Sequence, residues 1–466
     1  MKRIYTQEAN KHIGEQVKLC GWVATKRDHG KIIFIDLRDK KGIVQVVTED
    51  NQDIGKIKIE SVIEVIGRVK ERPSHLKNST SPTGGVEVEV VSVNVLSIAD
   101  DLPFAIEKDK NDVAEEIRLK YRYLDLRRTK MRNNLHSRAK TIQFLREYLC
   151  KEDFTEVETP YLSKSTPEGA RDYLVPSRLQ NGYFYALPQS PQQYKQLLMV
   201  AGLERYFQVV RCFRDEDTRG DRQAEFTQLD IEMSFIENEE DVLELVEDMF
   251  TKLIEKVFPE KHVTFRKWPR IPYNEAISKY GSDKPDLRKN KQDPNELAFA
   301  FVVDFPMFEK TETGKLTAVH HPFTAPKITD ISELKNNTMQ IKAKQFDFVL
   351  NGYEVGGGSI RTHDPAILTA VFEALGHTKE DIKRQFGHLL QAFRYGVPPH
   401  GGIAPGIDRI VMLLQNEPNI REVIAFPKTG DGRDLTMDAP STVSEAQLDE
   451  LGIRSIDKKE KKDRIK

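Results

Sequence analysis

The chain has 466 residues, enough for roughly three domains, with 31% charged residues, a net charge of −2 and three cysteines. No apolar run reaches membrane-spanning length, and the opening MKRIYTQEANKHIGEQ lacks the apolar core of a signal peptide, so a cytoplasmic protein is expected. Near-zero net charge excludes a chain coated by nucleic acid but leaves room for a local basic track.

Cys20, Cys150 and Cys212 are too few and too scattered for a disulfide framework or a zinc cluster, and read as buried structural thiols. Residues 1–105 read as β, with short Val- and Ile-rich segments at Val17–Val23, Ile32–Leu37, Ile43–Val47, Ser61–Val69 and Val86–Leu96. Five such strands suit an OB-type barrel, a common oligonucleotide binder. A hinge is expected over 106–135. From Arg118 to Lys140 nine Lys or Arg residues face one acid, Asp125, as a solvated helix surface or an RNA-facing track. Helical spacing follows through Ala139, Ile142, Leu145, Tyr148 and Leu149, and a second amphipathic helix runs from Asp241 to Phe258. Strand-like runs intervene without regular βαβ alternation, so residues 136–453 read as an α+β domain. Within it 284–297 is polar and broken by proline, a linker or shortened insertion. The tail 454–466 is a charge run expected to be disordered.

No Walker loop, GxGxxG or HExxH occurs. Instead, Tyr206–Phe213 and Leu229–Phe235 read as two strands of a hairpin with Gly220 and Asp221 in its loop. One face carries Phe226, Gln228, Asp230 and Glu232, and Arg214, Arg219 and Arg222 stand among carboxylates nearby. Forked arginines beside a stacking aromatic suit a phosphate-bearing ligand. Asn351-Gly352 is a strong two-residue turn signal. It would set Val349 opposite Glu354 and Asp347 diagonally beside it, about 7–8 Å away, a pair suited to a hard cation such as Mg²⁺. Gly356–Gly358 anticipate close approach of a backbone or ligand, and Arg361 beyond them could grip a carboxylate. Pro399–Leu414 is a glycine-rich turn entering a helix, with Arg409 in its anion-favouring first turn. Adjacent His320 and His321 should point apart on a regular element, which disfavours a two-histidine metal site and favours donors to phosphate or carboxylate. Ser165–Asp172 is a polar loop, and Gln189–Lys195 supplies amides and one cation.

Together these segments resemble the three motifs of class II aminoacyl-tRNA synthetases: FTEVETP ending at Pro160, the arginine-rich hairpin, and GIDR from Gly406 to Arg409. PEGARDYLVPSR, YALPQSPQ, FRDED, EFTQLD, VVDFP, HHPFT, NGYEVGGGSIR and AFPKT look like the bacterial aspartyl-tRNA synthetases, to about Ile453. In the barrel, GWV, IFIDLRD and GIVQVV are similar to the anticodon-binding domain of that family.

The resemblance implies an N-terminal OB barrel followed by an antiparallel sheet flanked by helices. It also implies two steps: L-aspartate and ATP give aspartyl-adenylate, and the aspartyl group then moves to the 3′ end of tRNA-Asp. By motif, Arg214 would hold the α-phosphate and the reacting carboxylate, while Phe226 and Arg409 would enclose adenine. Asp215, Glu216, Gln223, Gly406, Ile407 and Asp408 would border the nucleotide, and Asp347 and Glu354 would bind Mg²⁺. Lys195 and Arg361 would read the aspartate side chain, two cations that an amide would leave unpaired. Glu168, Gln192, Asp230 and His320 would complete that pocket. Phe34 would stack on an anticodon base, with Arg27 and Gln45 beside it.

The family also implies a homodimer through its first motif. Two departures stand out: most of the bacterial inserted domain is missing between Leu287 and Phe299, and Pro405 replaces a frequent phenylalanine. His29 resembles the type that charges both tRNA-Asp and tRNA-Asn, which implies a link to an amidotransferase that makes Asn-tRNA. A catalytically inactive RNA-binding relative would be expected to lack Arg214, Glu354 or Arg409, all present here.

Overall fold

A computed structural model describes residues 1–30, 32–49, 52–106, 113–165, 169–311, 313–328, 330–336 and 338–455. Glu168, part of the expected hinge and nearly all of the charged tail lie outside these residues. The chain divides into two compact units, Met1–Val113 and Ala114–Lys466.

The first unit is a closed five-stranded barrel. Its strands are β1 (Gln16–Asp28), β2 (Ile32–Arg38), β3 (Ile43–Glu49), β4 (Val62–Glu71) and β5 (Val86–Ser97), in the order β1-β2-β3-β5-β4. Period-2 alternation sends Ile33, Ile35, Leu37, Val44 and Val46 inward, all fully buried. The same alternation leaves Phe34, Asp36 and Gln45 facing outward on β2 and β3, with Arg27 paired across from Phe34.

The second unit begins with short helices at Glu115–Lys120 and Arg122–Asp125, where the sequence suggested a hinge. A long helix α1 (Thr129–Lys151) follows, then strand β6 (Thr155–Glu156), helix α2 (Gln192–Val200), and strands β7 (Arg205–Phe213) and β8 (Glu225–Ser234). Helix α3 (Glu240–Val257) leads to strands β9 (Arg270–Pro272), β10 (Phe299–Val303), β11 (Gln345–Leu350) and β12 (Tyr353–Ile360). Helices α4 (Pro365–Ala374) and α5 (Lys379–Phe393), strand β13 (His400–Pro405) and helix α6 (Ile407–Leu414) complete the frame. The eight-stranded sheet runs β9-β10-β11-β12-β13-β8-β7-β6. It is antiparallel through its six central strands, but both edge pairs are parallel, so the sheet is mixed rather than wholly antiparallel.

One face of the sheet packs against α1, α3 and α6 through Leu145, Val246, Phe250, Ile410 and Val411. Trp268 stacks on Phe299 with ring centroids 4.4 Å apart. The basic run from Arg118 to Lys140 is not a simple surface track. Arg118, Arg122 and Arg128 are buried around Asp125, and Arg118 also grips Glu422. Only Cys212 of the three thiols is buried; Cys150 is exposed.

The segment where the inserted domain is lacking is a tight loop. Asp286 takes two hydrogen bonds from the Arg288 guanidinium and one from its amide, and the Glu296 carboxylate caps the amides of Lys289 and Asn290 at 2.8 Å each. Asn351 fastens this loop to the β11–β12 turn, donating to the Glu296 carbonyl at 3.0 Å and accepting from the Ala298 amide at 2.8 Å.

Candidate active site

Alternation along β8 directs Leu229, Ile231 and Met233 into the core and Gln228, Asp230 and Glu232 to the opposite face. On that face lies a cavity of about 370 Å³. At its closed end Lys195, on α2, donates to Asp230 at 2.7 Å and stands 3.2 Å from Glu232. Arg361, just past β12, grips both Glu232 oxygens at 2.9 and 3.0 Å. All four side chains are buried. Burial alone would raise the Glu232 carboxyl; Arg361 and Lys195 outweigh it and hold the group at about 2. Burial lifts Asp230, with Lys195 only partly opposing. The second Asp230 oxygen has no hydrogen-bond partner among the described residues. The two cations are therefore already compensated, contrary to the expectation that an amide ligand would leave them bare. Glu232 supplies that compensation, and the sequence reading placed it on the correct face without giving it a role.

The two histidines do not point apart. They lie on an irregular segment with ring centroids 4.3 Å apart, and both border the cavity. Burial, followed by Arg361, Lys195 and Arg214, lowers His320 to about 3; burial likewise keeps His321 neutral. The His321 Nε2 lone pair accepts from Arg361 at 2.9 Å. Gly357 makes room for this pair, since a Cβ there would lie 2.7 Å from His320 Cε1. A Gly357→Ala variant should therefore displace His320 at a cost of about 1–3 kcal/mol, read as a lowered Tm together with a raised KM for the amino acid.

The other end of the cavity is built by the residues between β7 and β8. The Arg214 guanidinium stands 5.0 Å from the Phe226 ring centroid, and its buried Nε has no hydrogen-bond partner among the described residues. That loop is fastened at several points. The Ile420 amide donates to the Gly220 carbonyl at 2.9 Å, and Gln223 exchanges hydrogen bonds with the Lys428 backbone at 3.1 and 2.7 Å. Arg409, in the first turn of α6, pairs with Asp221 at 3.2 Å and also donates to the Glu354 carbonyl.

Glu216, Gln223, Phe226, Glu354, Gly406, Asp408 and Arg409 border the cavity with Arg214, whereas Asp215 and Ile407 do not. Ile407 is core, and Asp215 forms a backbone bridge with Arg171. Asp408 is committed structurally, taking the Thr227 amide at 2.7 Å and the Arg138 guanidinium. Gln192, Lys195, Asp230, His320 and Arg361 meet at the closed end.

The Asn351-Gly352 turn forms with positive φ at both residues and sets Val349 opposite Glu354. A bulge then moves Asp347 opposite Gly357. Burial, then the Glu354 charge, push the Asp347 carboxyl well above its usual range, against the opposing pull of a hydrogen bond from Gln345 and of the Lys284 charge. This donor chemistry fits a hard divalent ion. No cluster of three or more His, Cys, Asp or Glu ligands occurs among the described residues, so phosphate oxygens and water would have to complete its shell.

In the barrel unit Arg27, Phe34 and Gln45 do share one outer face. Arg27 reaches Asp36 at 3.2 Å and Gln45 at 3.4 Å, and the His29 ring meets Phe34 edge-on at 5.5 Å.

The family of tRNA synthetases class II (D, K and N) matches residues 114–430, and an OB-fold nucleic acid binding domain matches 17–96. The chain is 42% identical to an aspartate–tRNA(Asp/Asn) ligase of Dehalococcoides mccartyi, covering 98% of each chain. It is 40% identical to an aspartate–tRNA ligase of Staphylococcus saprophyticus, covering 95% of this chain and 97% of the other. The first alignment spans 595 positions, longer than this chain, so the relative carries residues absent here. An asparaginyl-tRNA synthetase from Pyrococcus horikoshii complexed with asparaginyl-adenylate superposes with a TM-score of 0.73, covering 92% of this chain and 98% of that one at 25% identity. With an OB barrel, a class II sheet and near-full-length identity to aspartate–tRNA ligases, the chain belongs to the aspartyl branch of the class II aminoacyl-tRNA synthetases.

Proposed function

We propose that the protein activates L-aspartate with ATP and transfers the aspartyl group to the 3′ end of tRNA-Asp and also of tRNA-Asn. The observation that carries the first half is the juxtaposition around one cavity of Lys195, Arg361 and Asp230, compensated with Glu232 behind them, and an Arg214 that has no ion pair among the described residues. Attack of the aspartate α-carboxylate on the α-phosphorus expels pyrophosphate, so the site must position two anions and absorb charge rather than supply a nucleophile. Arg214 is free to bridge the carboxylate and the α-phosphate. Phe226 offers a face for adenine, and Arg409 meets the far phosphates at the helix start. Lys195 and Arg361 orient the side-chain carboxylate, while Asp230 and Gln192, which both border the cavity, receive the ammonium. Asp347 and Glu354 would hold Mg²⁺, which neutralises phosphate charge when bound. Aspartate-dependent ATP–pyrophosphate exchange tests this half, and no exchange with aspartate overturns it.

His29 beside Phe34 supports the second half, as does the name of the Dehalococcoides relative. Charging of both purified tRNAs is expected; absence of aspartylation on tRNA-Asn leaves the strictly tRNA-Asp-specific reading. A Phe34→Ala variant should lose about 1–3 kcal/mol of tRNA binding while pyrophosphate exchange stays at the parental rate. Exposed Tyr161 and Leu162, just past Pro160 and beyond the end of β6 at Glu156, support a homodimer through the first motif. Charging tRNA-Asn would place the enzyme upstream of an amidotransferase. No helix among the described residues is long and apolar enough to cross a membrane.

A further inference from the structure

Behind the cavity lies a buried polar chain that reaches it through Gln192. His400, at the start of β13, is fully buried and accompanied by Gln196 and Gln192 from consecutive turns of α2. Its Nδ1 is 2.8 Å from the Pro398 carbonyl, and its Nε2 is 3.2 Å from Gln196 Nε2. Gln196 Oε1 is 3.2 Å from Gln192 Nε2.

The donors in this chain are fixed by elimination. A carbonyl can only accept, so His400 must carry its proton on Nδ1. Burial lowers the ring to about 4, so it is neutral and Nε2 is a bare lone pair. Gln196 must then present its NH₂ to that lone pair and its oxygen to Gln192. Gln192 in turn gives its NH₂ to Gln196 and is left with its oxygen for the cavity it borders. Reversing any one amide would set two acceptors or two donors against each other inside the protein, costing about 1–3 kcal/mol.

We propose that His400, acting through Gln196, is a positioning residue that holds the Gln192 amide as an acceptor toward the substrate ammonium. The inference rests on the amino-acid activation proposed above. Gln192 could otherwise turn either end to the ligand, and an amide nitrogen pointing inward would repel an ammonium while attracting a carboxylate. His400 thus writes the hydrogen-bond polarity of the amino-acid site from outside it. The backbone carbonyl of Pro398, which cannot change its role, is the origin of the chain.

The test compares two ligands that differ in the ammonium alone. In the full-length protein, His400→Phe removes the acceptor while retaining a flat ring, and Gln196→Met removes both links at similar volume. Either variant should weaken L-aspartate binding about tenfold, measured as KM in pyrophosphate exchange, with KM for ATP within twofold of the parent. Competitive inhibition by succinate, which has both carboxylates but no ammonium, should be unchanged. Equal weakening of aspartate and succinate would mean a general distortion of the pocket and overturn the proposal, as would unchanged aspartate binding in a folded variant. If only one variant folds, it decides the matter. A parental protein without aspartate-dependent exchange would instead overturn the functional reading, so the two failures are distinguishable.

Discussion

An Arg214→Ala variant is expected to stay folded and to lose at least 10²–10³ in aspartate-dependent pyrophosphate exchange, the scale associated with removing one well-placed donor to developing charge. The two parts of this expectation have one cause. Arg214 lies against the Phe226 ring, and its buried Nε finds no hydrogen-bond partner among the described residues. Removing it sacrifices a cation–π contact worth about 0.5–2 kcal/mol and frees no buried carboxylate. Its contribution is deferred until a ligand brings the anions. Calorimetry and exchange assays on the same preparation separate the terms: a Tm near the parent with exchange near background is expected. A variant with near-parental exchange would remove Arg214 from the reaction.

Glu232→Ala should behave in the opposite way. That carboxylate holds Arg361 by two hydrogen bonds and lies 3.2 Å from Lys195, with no exposed atom. Deleting one partner of a buried pair leaves a charge that cannot be rehydrated, at a cost of about 3–5 kcal/mol. Against a total stability of about 5–15 kcal/mol this is a large share. Denaturant unfolding should show the loss, and exchange should collapse because Arg361 is no longer held over the cavity. The pH dependence has a definite sign. Glu232 is held at about 2 instead of its ordinary 4.5, so its favourable contribution is complete above the ordinary value and drains away as pH falls from there toward 2. The stability gap between parent and variant should therefore be widest near neutrality and narrow in acid. A gap independent of pH would argue for packing rather than charge as its source.

The elements that follow from periodicity were legible in the chain. The alternation at Leu229–Phe235 placed Asp230 and Glu232 on one face, and the helical stripe at Asp241–Phe258 matches a core helix to within a residue at each end. Asn351-Gly352 forms its turn because both positions need positive φ, a local requirement visible in two letters. The misses share a different origin. Whether Lys195 and Arg361 are free or compensated depends on which carboxylate meets them from another strand, and no spacing within one segment encodes that. The histidine pair was misjudged because the rule for adjacent residues holds on regular elements, and His320 and His321 occupy an irregular one. Gln223 and Asp408 border the cavity as expected by motif, and the anchoring of their side chains by Lys428 and by Thr227 with Arg138 was not legible in either segment alone. Arg118 and Arg122 read as surface cations because their acceptors, Glu422 and the 421–425 backbone, arrive some three hundred residues later.

The loop closed by Asp286, Glu296 and Asn351 bears on how this protein could be rebuilt. It leaves the sheet region after the helix Tyr273–Tyr280 and returns at once to strand β10, with its own side chains satisfying its amides. Such a closure is a port: a folded module could be spliced in or cut out there without altering the pairing of any strand. One fastener is Asn351, three positions from Glu354 on the same hairpin. A module seated in the port would thus pull or press on the turn beside the carboxylate pair.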